Sequence, residues 1–229
     1  MKLISCFVCA LLLSMAPFVS ANAETPWKQV QASDLTDENV KQVVEKLRQA
    51  QIISGQFSQE KMMQGMKMPI KSSGDFIFWR EHGLYQEAKI PFFNAFTITE
   101  DQLINWNANG KGTLIKENAA IVQREINKTL LSFFKADIAL IAQRFDTEWD
   151  FYTEGHWRLR LAPKLAAIAE HMTLIELAGA DLVESLRITA GNGDITHMQF
   201  SHQVEKTTLS VSECQRFFLK PAAICQSFK

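Results

Sequence analysis

The chain has 229 residues, of which 24 are Lys or Arg and 25 are Asp or Glu, so its formal net charge is only −1. This balance gives no indication of a nucleic-acid partner, which would need a strongly basic surface. A chain of this length can form one sizeable domain with a buried core.

The first 23 residues have the organisation of a secretory signal peptide. Lys2 precedes the apolar run LISCFVCALLLSMAPFVS, and the small-x-small triplet Ala21-Asn22-Ala23 follows it. The run is short and poorly flanked for a membrane span, which leaves a retained anchor as the alternative. We therefore predict that cleavage leaves a secreted, unlipidated protein of 206 residues with a formal charge of −2, folded as a single domain over residues 24–229.

The cysteines indicate one disulfide in the mature protein. Cys6 and Cys9 lie at the start of the apolar run, whereas a lipoprotein would need a cysteine beside the cleavage site. Only Cys214 and Cys225 remain after cleavage, and an oxidising compartment favours a disulfide between them. A buried thiol pair and a metal site are the alternatives, although the pair lacks the CxxC spacing common in metal sites.

The first half of the mature chain begins with a helix and continues as strands. Residues 34–51 predict an amphipathic helix with Thr36 as its N-cap and Lys46 and Arg48 near its C-terminal end. Alternating apolar and polar residues then predict strands over 52–63, 70–80, 83–90, 94–100 and 102–108, and NGKG predicts a turn at 109–112.

The second half has one long helix within the same strand pattern. Apolar residues at helical spacing, among them Leu130, Phe134 and Ile138, predict a helix over 127–145. Further strands are predicted at 147–153, 156–164, 173–179, 182–190 and 195–205, with a short helix at 165–172 and a hairpin turn at 191–194. The fold class is therefore α+β, mainly β: one large antiparallel sheet with two or three helices covering one face.

The segment GDFIFWR, residues 74–80, carries large apolar side chains on both faces of a strand. Phe76, Phe78 and Arg80 share one face, and Ile77 and Trp79 share the other. The second face must therefore be covered by another part of the chain or by a partner. The abundance of Phe, 16 residues, fits either a well-filled core or an apolar cavity, and Met62, Met63, Met66 and Met68 fit a half-exposed hairpin corner or an adaptable surface.

Signs of catalysis are sparse. The sequence lacks a GxSxG nucleophile motif and a phosphate-binding glycine loop. His197 and His202 fall on opposite faces of one predicted strand, so we expect neither a metal site nor a cofactor. A hydrolase using the acidic residues Glu100, Asp101, Glu148 or Asp150 remains an alternative.

Taken in order, these segments resemble the LolA-like periplasmic carriers, which move lipoproteins from the inner to the outer membrane of Gram-negative bacteria. The resemblance rests on GQFSQEK, SSGDFIFWREHGLYQEAKIP, RLAPK and LRITAGNGDITHMQFSH, each of them short. It implies that the sheet curves into an incomplete barrel. The helices would then form a lid over an apolar cavity that takes up acyl chains.

The resemblance also implies roles for individual residues. By position Arg80 corresponds to the arginine that hydrogen-bonds to the lid, and Leu84 to an apolar residue inside the cavity. Together with the pattern of apolar residues it implies a cavity and lid lined by Phe57, Phe76, Phe78, Leu84, Phe96, Trp106, Leu130, Phe134 and Ile138.

Two departures from the family pattern stand out. Glu81 replaces the proline that usually follows the arginine, and the Cys214/Cys225 pair is not typical of the standard carrier. They favour a divergent member whose cargo is a lipoprotein or another amphiphilic lipid destined for the outer membrane. The resemblance itself implies a monomer whose partners are an inner-membrane exporter and an outer-membrane acceptor. A lipid-sensing or scaffold module of the same fold is the alternative.

Overall fold

A computed structural model describes residues 28–31, 37–115, 120–152 and 155–228, with side chains except for 28–31 and 120–126. The predicted signal peptide and its cleavage site therefore lie outside the described residues. Within those residues, no helix has the length and apolar character needed to cross a membrane.

The described residues form twelve strands and six helices. The strands are β1 (Lys28–Gln31), β2 (Ile52–Met62), β3 (Ile70–Trp79), β4 (Gly83–Ile90), β5 (Asn94–Ile98), β6 (Leu103–Trp106), β7 (Gly112–Leu114), β8 (Phe145–Phe151), β9 (Trp157–Pro163), β10 (Met172–Gly179), β11 (Val183–Ala190) and β12 (Ile195–Lys206). The helices are α1 (Glu38–Gln49), α2 (Ala120–Lys135), α3 (Ile138–Arg144), α4 (Ala166–Ala169), α5 (Val211–Gln215) and α6 (Ala223–Gln226).

All twelve strands belong to one antiparallel sheet. Their order is β1-β8-β9-β10-β11-β12-β2-β3-β4-β5-β6-β7, so the long strands β12 and β2 join the two halves of the chain. Among the described strands, β1 and β7 are the two edges and do not pair with each other. The predicted mainly β, incompletely closed architecture is confirmed.

The two faces of the sheet bury different sets of residues. One face packs against α1, α2 and α3 and forms what we call the inner cluster, which includes Phe57, Phe76, Phe78, Leu84 and Phe145. The other face packs against residues 207–228 and forms the outer cluster, whose buried members are Ile52, Ile77, Trp79, Tyr85, Ala95, Ile104, Trp106, Leu209, Cys214, Phe217 and Cys225. The prediction that something must cover Ile77 and Trp79 is therefore confirmed, and the cover is the C-terminal segment.

Helix α1 starts one residue later than its predicted cap implies. The N-cap is Asp37, whose carboxylate accepts a hydrogen bond from the Asn39 N–H at 2.8 Å, so the prediction of Thr36 was wrong. Both residues are good caps, and the one closer to the first helical turn takes the role. Four apolar side chains of α1 then face the inner cluster: Val40, Val43, Val44 and Leu47.

The single helix predicted over 127–145 is two helices. Ala136 adopts a left-handed conformation with φ of 49°, and the Asp137 N–H donates back to the Ser132 carbonyl at 3.0 Å. This is the geometry of a Schellman motif, with alanine where glycine is usual. Asp137 then caps α3 by accepting from the Leu140 N–H at 3.1 Å. The break turns α3 so that Ile138 and Ile141 are both buried.

Candidate functional site

The interior beneath the helices is lined by phenylalanine rings from three parts of the chain. The rings of Phe78 and Phe134 are 5.5 Å apart, those of Phe134 and Phe200 are 5.7 Å apart, and those of Phe76 and Phe200 are 5.1 Å apart. β3, α2 and β12 therefore meet through one continuous series of contacts between aromatic rings. An acyl chain can pass between these rings only if the helices or the rings move apart.

Most of the side chains predicted to line a cavity surround this interior. Phe57, Phe76, Phe78, Leu84, Phe134 and Ile138 are buried in the inner cluster, and Phe96 and Leu130 pack against it while partly exposed. Phe200 was not among them, although its ring contacts both Phe76 and Phe134. The alternation of Met198 and Phe200 along β12 is the pattern that could have indicated it.

Trp106 is not part of this interior, which corrects the prediction made for it. It is buried in the outer cluster, where its indole N–H donates to the Thr97 hydroxyl at 2.8 Å. The Thr97 hydroxyl in turn donates to the Arg216 carbonyl at 2.5 Å, which ties the C-terminal segment to β5. Within β6, Leu103 packs on the inner cluster, so the strand's alternation places Trp106 on the other face.

Arg80 connects the end of β3 to both helices that cover the interior. Its Nε donates to the Ala50 carbonyl at 3.0 Å, Nη1 donates to the Lys135 carbonyl at 2.8 Å, and Nη2 donates to the Leu47 carbonyl at 2.5 Å. Leu47 lies in the last turn of α1, Ala50 directly follows that helix, and Lys135 ends α2. One guanidinium group thus bridges the C-terminal ends of two helices.

The chemistry of this contact explains why an arginine is suited to it. The last carbonyls of a helix lack partners within the helix and carry partial negative charge, so a cation with several donors satisfies them. Burial lowers the pKa of Arg80, the charge of neighbouring Glu81 opposes that shift, and the group stays protonated. Its guanidinium also lies 5.8 Å from the centre of the Phe78 ring.

The backbone around Arg80 is held by a tight turn. The His82 N–H donates to the Trp79 carbonyl at 2.8 Å, and Glu81 is exposed within this turn. Gly83 follows with φ of 117°, and a Cβ added there would lie 2.0 Å from the Ile98 carbonyl oxygen. Only glycine fits this approach of β4 to β5, which fixes where Arg80 leaves the sheet.

Other polar contacts also hold the helices in place. Asn127 of α2 donates to the carbonyls of Thr99 and Gln102 at 3.2 and 3.3 Å. Lys135 forms an ion pair with Glu100 at 2.6 Å, and this hydrogen bond lowers the pKa of Glu100. Arg48 of α1 donates to the Ala136 carbonyl at 3.3 Å, which links the two helices directly.

The outer cluster is closed by the predicted disulfide. Cys214 and Cys225 are bonded, with Cα atoms 5.4 Å apart, and both are fully buried. Trp79 stands at the centre of the aromatic side chains on this face, with its ring 5.4 Å from Phe217 and 5.8 Å from Phe228. The disulfide therefore holds the segment that covers Trp79.

Three of the four acidic residues weighed for catalysis have structural partners. Asp150 is completely buried, and its Oδ2 accepts hydrogen bonds from both Arg158 and Arg160 at 3.0 Å. Glu148 lies 3.3 Å from the same Arg160, and Glu100 pairs with Lys135 as described. In the described part of the chain, no three His, Cys, Asp or Glu side chains form a group that could hold a metal ion.

A protein-family model described as "Outer membrane lipoprotein carrier protein LolA" matches residues 48–215. No curated protein matches the chain.

Solved structures similar to the chain include a DUF1329 family protein from Desulfovibrio piger, at 9% identity and a TM-score of 0.41 over 75% of this chain and 93% of that one. A LolA superfamily protein from Nitrosomonas europaea has 6% identity and a TM-score of 0.37 over 74% and 94%. MucB of Pseudomonas aeruginosa, in complex with MucA, has 14% identity and a TM-score of 0.41 over 76% and 56%. Since the family model spans most of the chain, from the end of α1 to the end of α5, the protein belongs to the LolA family.

Proposed function

We propose that this protein is a periplasmic carrier that takes up the acyl chains of a lipoprotein, or of a related amphiphilic lipid, in the inner cluster and carries them toward the outer membrane. The observation that carries the proposal is the bridge made by Arg80. An aromatic interior lies beneath helices α1 and α2, and one side chain joins the ends of both helices to the sheet.

The energetics of an acyl chain fit this arrangement. Each methylene group moved out of water contributes roughly 0.8 kcal/mol, so the gain on binding grows with the length of the acyl chain and opposes the cost of opening the helix contacts. Release of the cargo then requires that the empty, closed protein be nearly as stable as the protein with its cargo bound. The packed interior and the Arg80 hydrogen bonds supply that closed state, because they replace the ligand contacts when the cargo leaves.

The remaining parts of the proposal follow from the family. Loading requires an inner-membrane exporter and unloading an outer-membrane acceptor, and the carrier acts as a monomer between them. The side chains proposed to contact the cargo are Phe57, Phe76, Phe78, Leu84, Phe96, Leu130, Phe134 and Ile138. No catalytic step is part of this function.

Binding of a fluorescent fatty acid to delipidated protein tests the proposal. We expect saturable, one-to-one binding that weakens for Leu130→Gln, which places an amide among the inner side chains. Leu219→Gln is the matched control, because Leu219 is 40% exposed on the C-terminal segment. A lack of saturable binding would contradict the carrier function, and binding to a protein partner without lipid uptake would favour the sensory or scaffold alternative.

Transfer of cargo between vesicles tests the role of Arg80. We expect Arg80→Leu to fold and to load the probe, but to release it to acceptor vesicles more slowly than the wild type, because the closed state is less stable. Loading and transfer equal to the wild type would remove Arg80 from the mechanism.

Mass spectrometry of lipid extracted from the protein purified from the periplasm identifies the cargo. Hydrolysis of ester substrates by the purified protein would instead support an enzyme.

A further inference from the structure

A group of large apolar side chains is exposed at one end of the sheet, where neither cluster covers it. The exposed fraction reaches 80% for Phe92, 73% for Met68 and 64% for Ile90. We call this surface the apolar tip, and its members are Met63, Met66, Met68, Ile70, Ile90, Phe92 and Phe93.

Strand pairing places these residues together. In the β2–β3 hairpin Lys61 is opposite Ile70, and the turn that joins them carries the three methionines. In the neighbouring pair Ser73 is opposite Ile90, and residues 91–93 connect β4 to β5 at the same end of the sheet. Ile90 also shares a surface groove with Lys71 and Ser73 of β3. The two turns are therefore adjacent, with the β2–β3 hairpin extending about 10 Å farther.

The charge of this end differs from that of the whole chain. Residues 61–71 and 89–94 contain four lysines and no aspartate or glutamate, and the nearest carboxylate of the adjoining β11–β12 turn, that of Asp194, accepts a hydrogen bond from the Gln64 N–H at 3.0 Å. Lys71 and Lys89 form ion pairs with Glu60 and Asp75. Lys61 and Lys67 form none within the described residues, and Lys67 lies in the protruding turn between Met66 and Met68.

This combination fits the surface of a membrane that contains anionic lipids. Exposed apolar side chains gain by entering the boundary between headgroups and acyl chains, while the flexible stems of lysine keep their charges at the headgroups. Anionic headgroups attract lysines close to the surface. Methionine side chains, which are unbranched, adapt to a fluid layer more readily than to a fixed pocket.

We propose that the apolar tip docks the protein onto an anionic phospholipid surface. The turns insert Met68 and Phe92 at the level of the headgroups, and Lys61 and Lys67 lie against the lipid phosphates. Arg80 and the helix ends that it joins lie at the opposite end of β3, so docking leaves them in place. The inference stands independently of acyl-chain binding in the inner cluster, because the tip requires no cargo.

Flotation of the full chain with vesicles tests the proposal. We expect binding to vesicles of equimolar phosphatidylglycerol and phosphatidylcholine, weakening as salt is added, and little binding to pure phosphatidylcholine. The variant Lys61→Gln/Lys67→Gln should lose affinity by about fivefold for each lysine. Met68→Ser/Phe92→Ser should lose binding to a similar or greater extent.

Matched variants at other exposed positions are the controls. Lys41→Gln/Lys220→Gln removes two exposed lysines elsewhere, and Val204→Ser replaces an apolar side chain that is 57% exposed on β12. Both should bind vesicles as the wild type does. Equal binding to neutral and anionic vesicles, or tip variants that bind as the controls do, would overturn the proposal. The proposal would also be overturned if the wild type does not bind vesicles and instead binds an acidic protein through the apolar tip. The fatty-acid assay described above is a separate measurement and can succeed or fail on its own.

Discussion

Trp79 and Arg80 are adjacent in the chain, but their side chains belong to opposite layers of the protein. The Trp79 ring packs 5.4 Å from Phe217 in the outer cluster, whereas Arg80 Nη2 donates to the Leu47 carbonyl at the end of α1, 2.5 Å away. The end of β3 thus anchors the helices on one side of the sheet and the C-terminal segment on the other.

Replacing Arg80 by leucine should loosen the helix ends. The variant loses three hydrogen bonds from a charged donor to carbonyls that water can partly reach, so we expect the free energy of unfolding to fall by about 1–3 kcal/mol. Hydrogen exchange should become faster in the last turns of α1 and α2. Denaturant unfolding and exchange mass spectrometry measure the two effects.

Arg187→Leu is the control for this substitution. Arg187 is half exposed and lies 3.5 Å from Glu176, so its loss should cost less than about 1 kcal/mol. Arg80→Lys should fall between the wild type and the leucine variant, because an ammonium group keeps the charge but cannot reach three carbonyls in the same planar arrangement. If Arg80→Leu and Arg187→Leu lower the free energy of unfolding equally, the Arg80 bridge stabilises the fold no more than an exposed ion pair does.

Removing the disulfide should destabilise the C-terminal segment. The bond joins residues 11 apart in sequence, and a loop of that size corresponds to about 2–4 kcal/mol. We expect Cys214→Ser/Cys225→Ser to lower the unfolding temperature and to speed hydrogen exchange over residues 209–228. A reductant should shift the wild type toward the variant and leave the variant unchanged. If reductant changes the unfolding temperature of neither protein, the disulfide does not stabilise the C-terminal segment.

The ion pair of Glu213 should make the C-terminal segment sensitive to acid. Burial alone would raise the pKa of Glu213, but hydrogen bonds from Lys206 and from the backbone and hydroxyl of Ser210 outweigh it, so the pKa lies below its ordinary value of 4.5. A lowered pKa in the folded state means that the contribution to stability is complete above 4.5 and is lost as the pH falls through the folded-state value.

Measuring the free energy of unfolding at several pH values tests whether this contribution to stability is lost in acid. Glu213→Gln should be less stable than the wild type in denaturant at pH 7, and the difference should shrink as the pH falls below 4.5. Lys206→Met removes the same ion pair from the other side and should show the same trend. In the double variant the two losses should not add, because the substitutions share one interaction. A difference that grows in acid would contradict the assignment.

The sequence was sufficient where one short-range rule decides the outcome. Side chains alternate across a strand, so Phe76 and Phe78 could be assigned to one face and Ile77 and Trp79 to the other. The disulfide followed from the number of cysteines left after the predicted cleavage. The position of Arg80 against the helices came from the family resemblance, because its acceptors are backbone carbonyls that no sequence pattern marks.

The errors arise where a longer-range choice decides. In β6 both Leu103 and Ile104 begin plausible apolar faces, and only the pairing with β5 decides that Trp106 faces outward. The break between α2 and α3 occurs at Ala136, a residue type that normally favours helix. In the sequence, only Asp137, the N-cap of α3, indicates that a new helix begins there. Helices α5 and α6 have five and four residues, too few for a helical period to be visible.

The two edges of the sheet have a further consequence for the protein in a crowded compartment. Within the described residues, β7 has three residues and β1 has four, so each of these edge strands offers few free backbone groups to another chain. Long, flat edges invite strand-by-strand addition and aggregation, and short ones limit it. The open sheet of twelve described strands therefore limits strand addition at its edges without closing into a barrel.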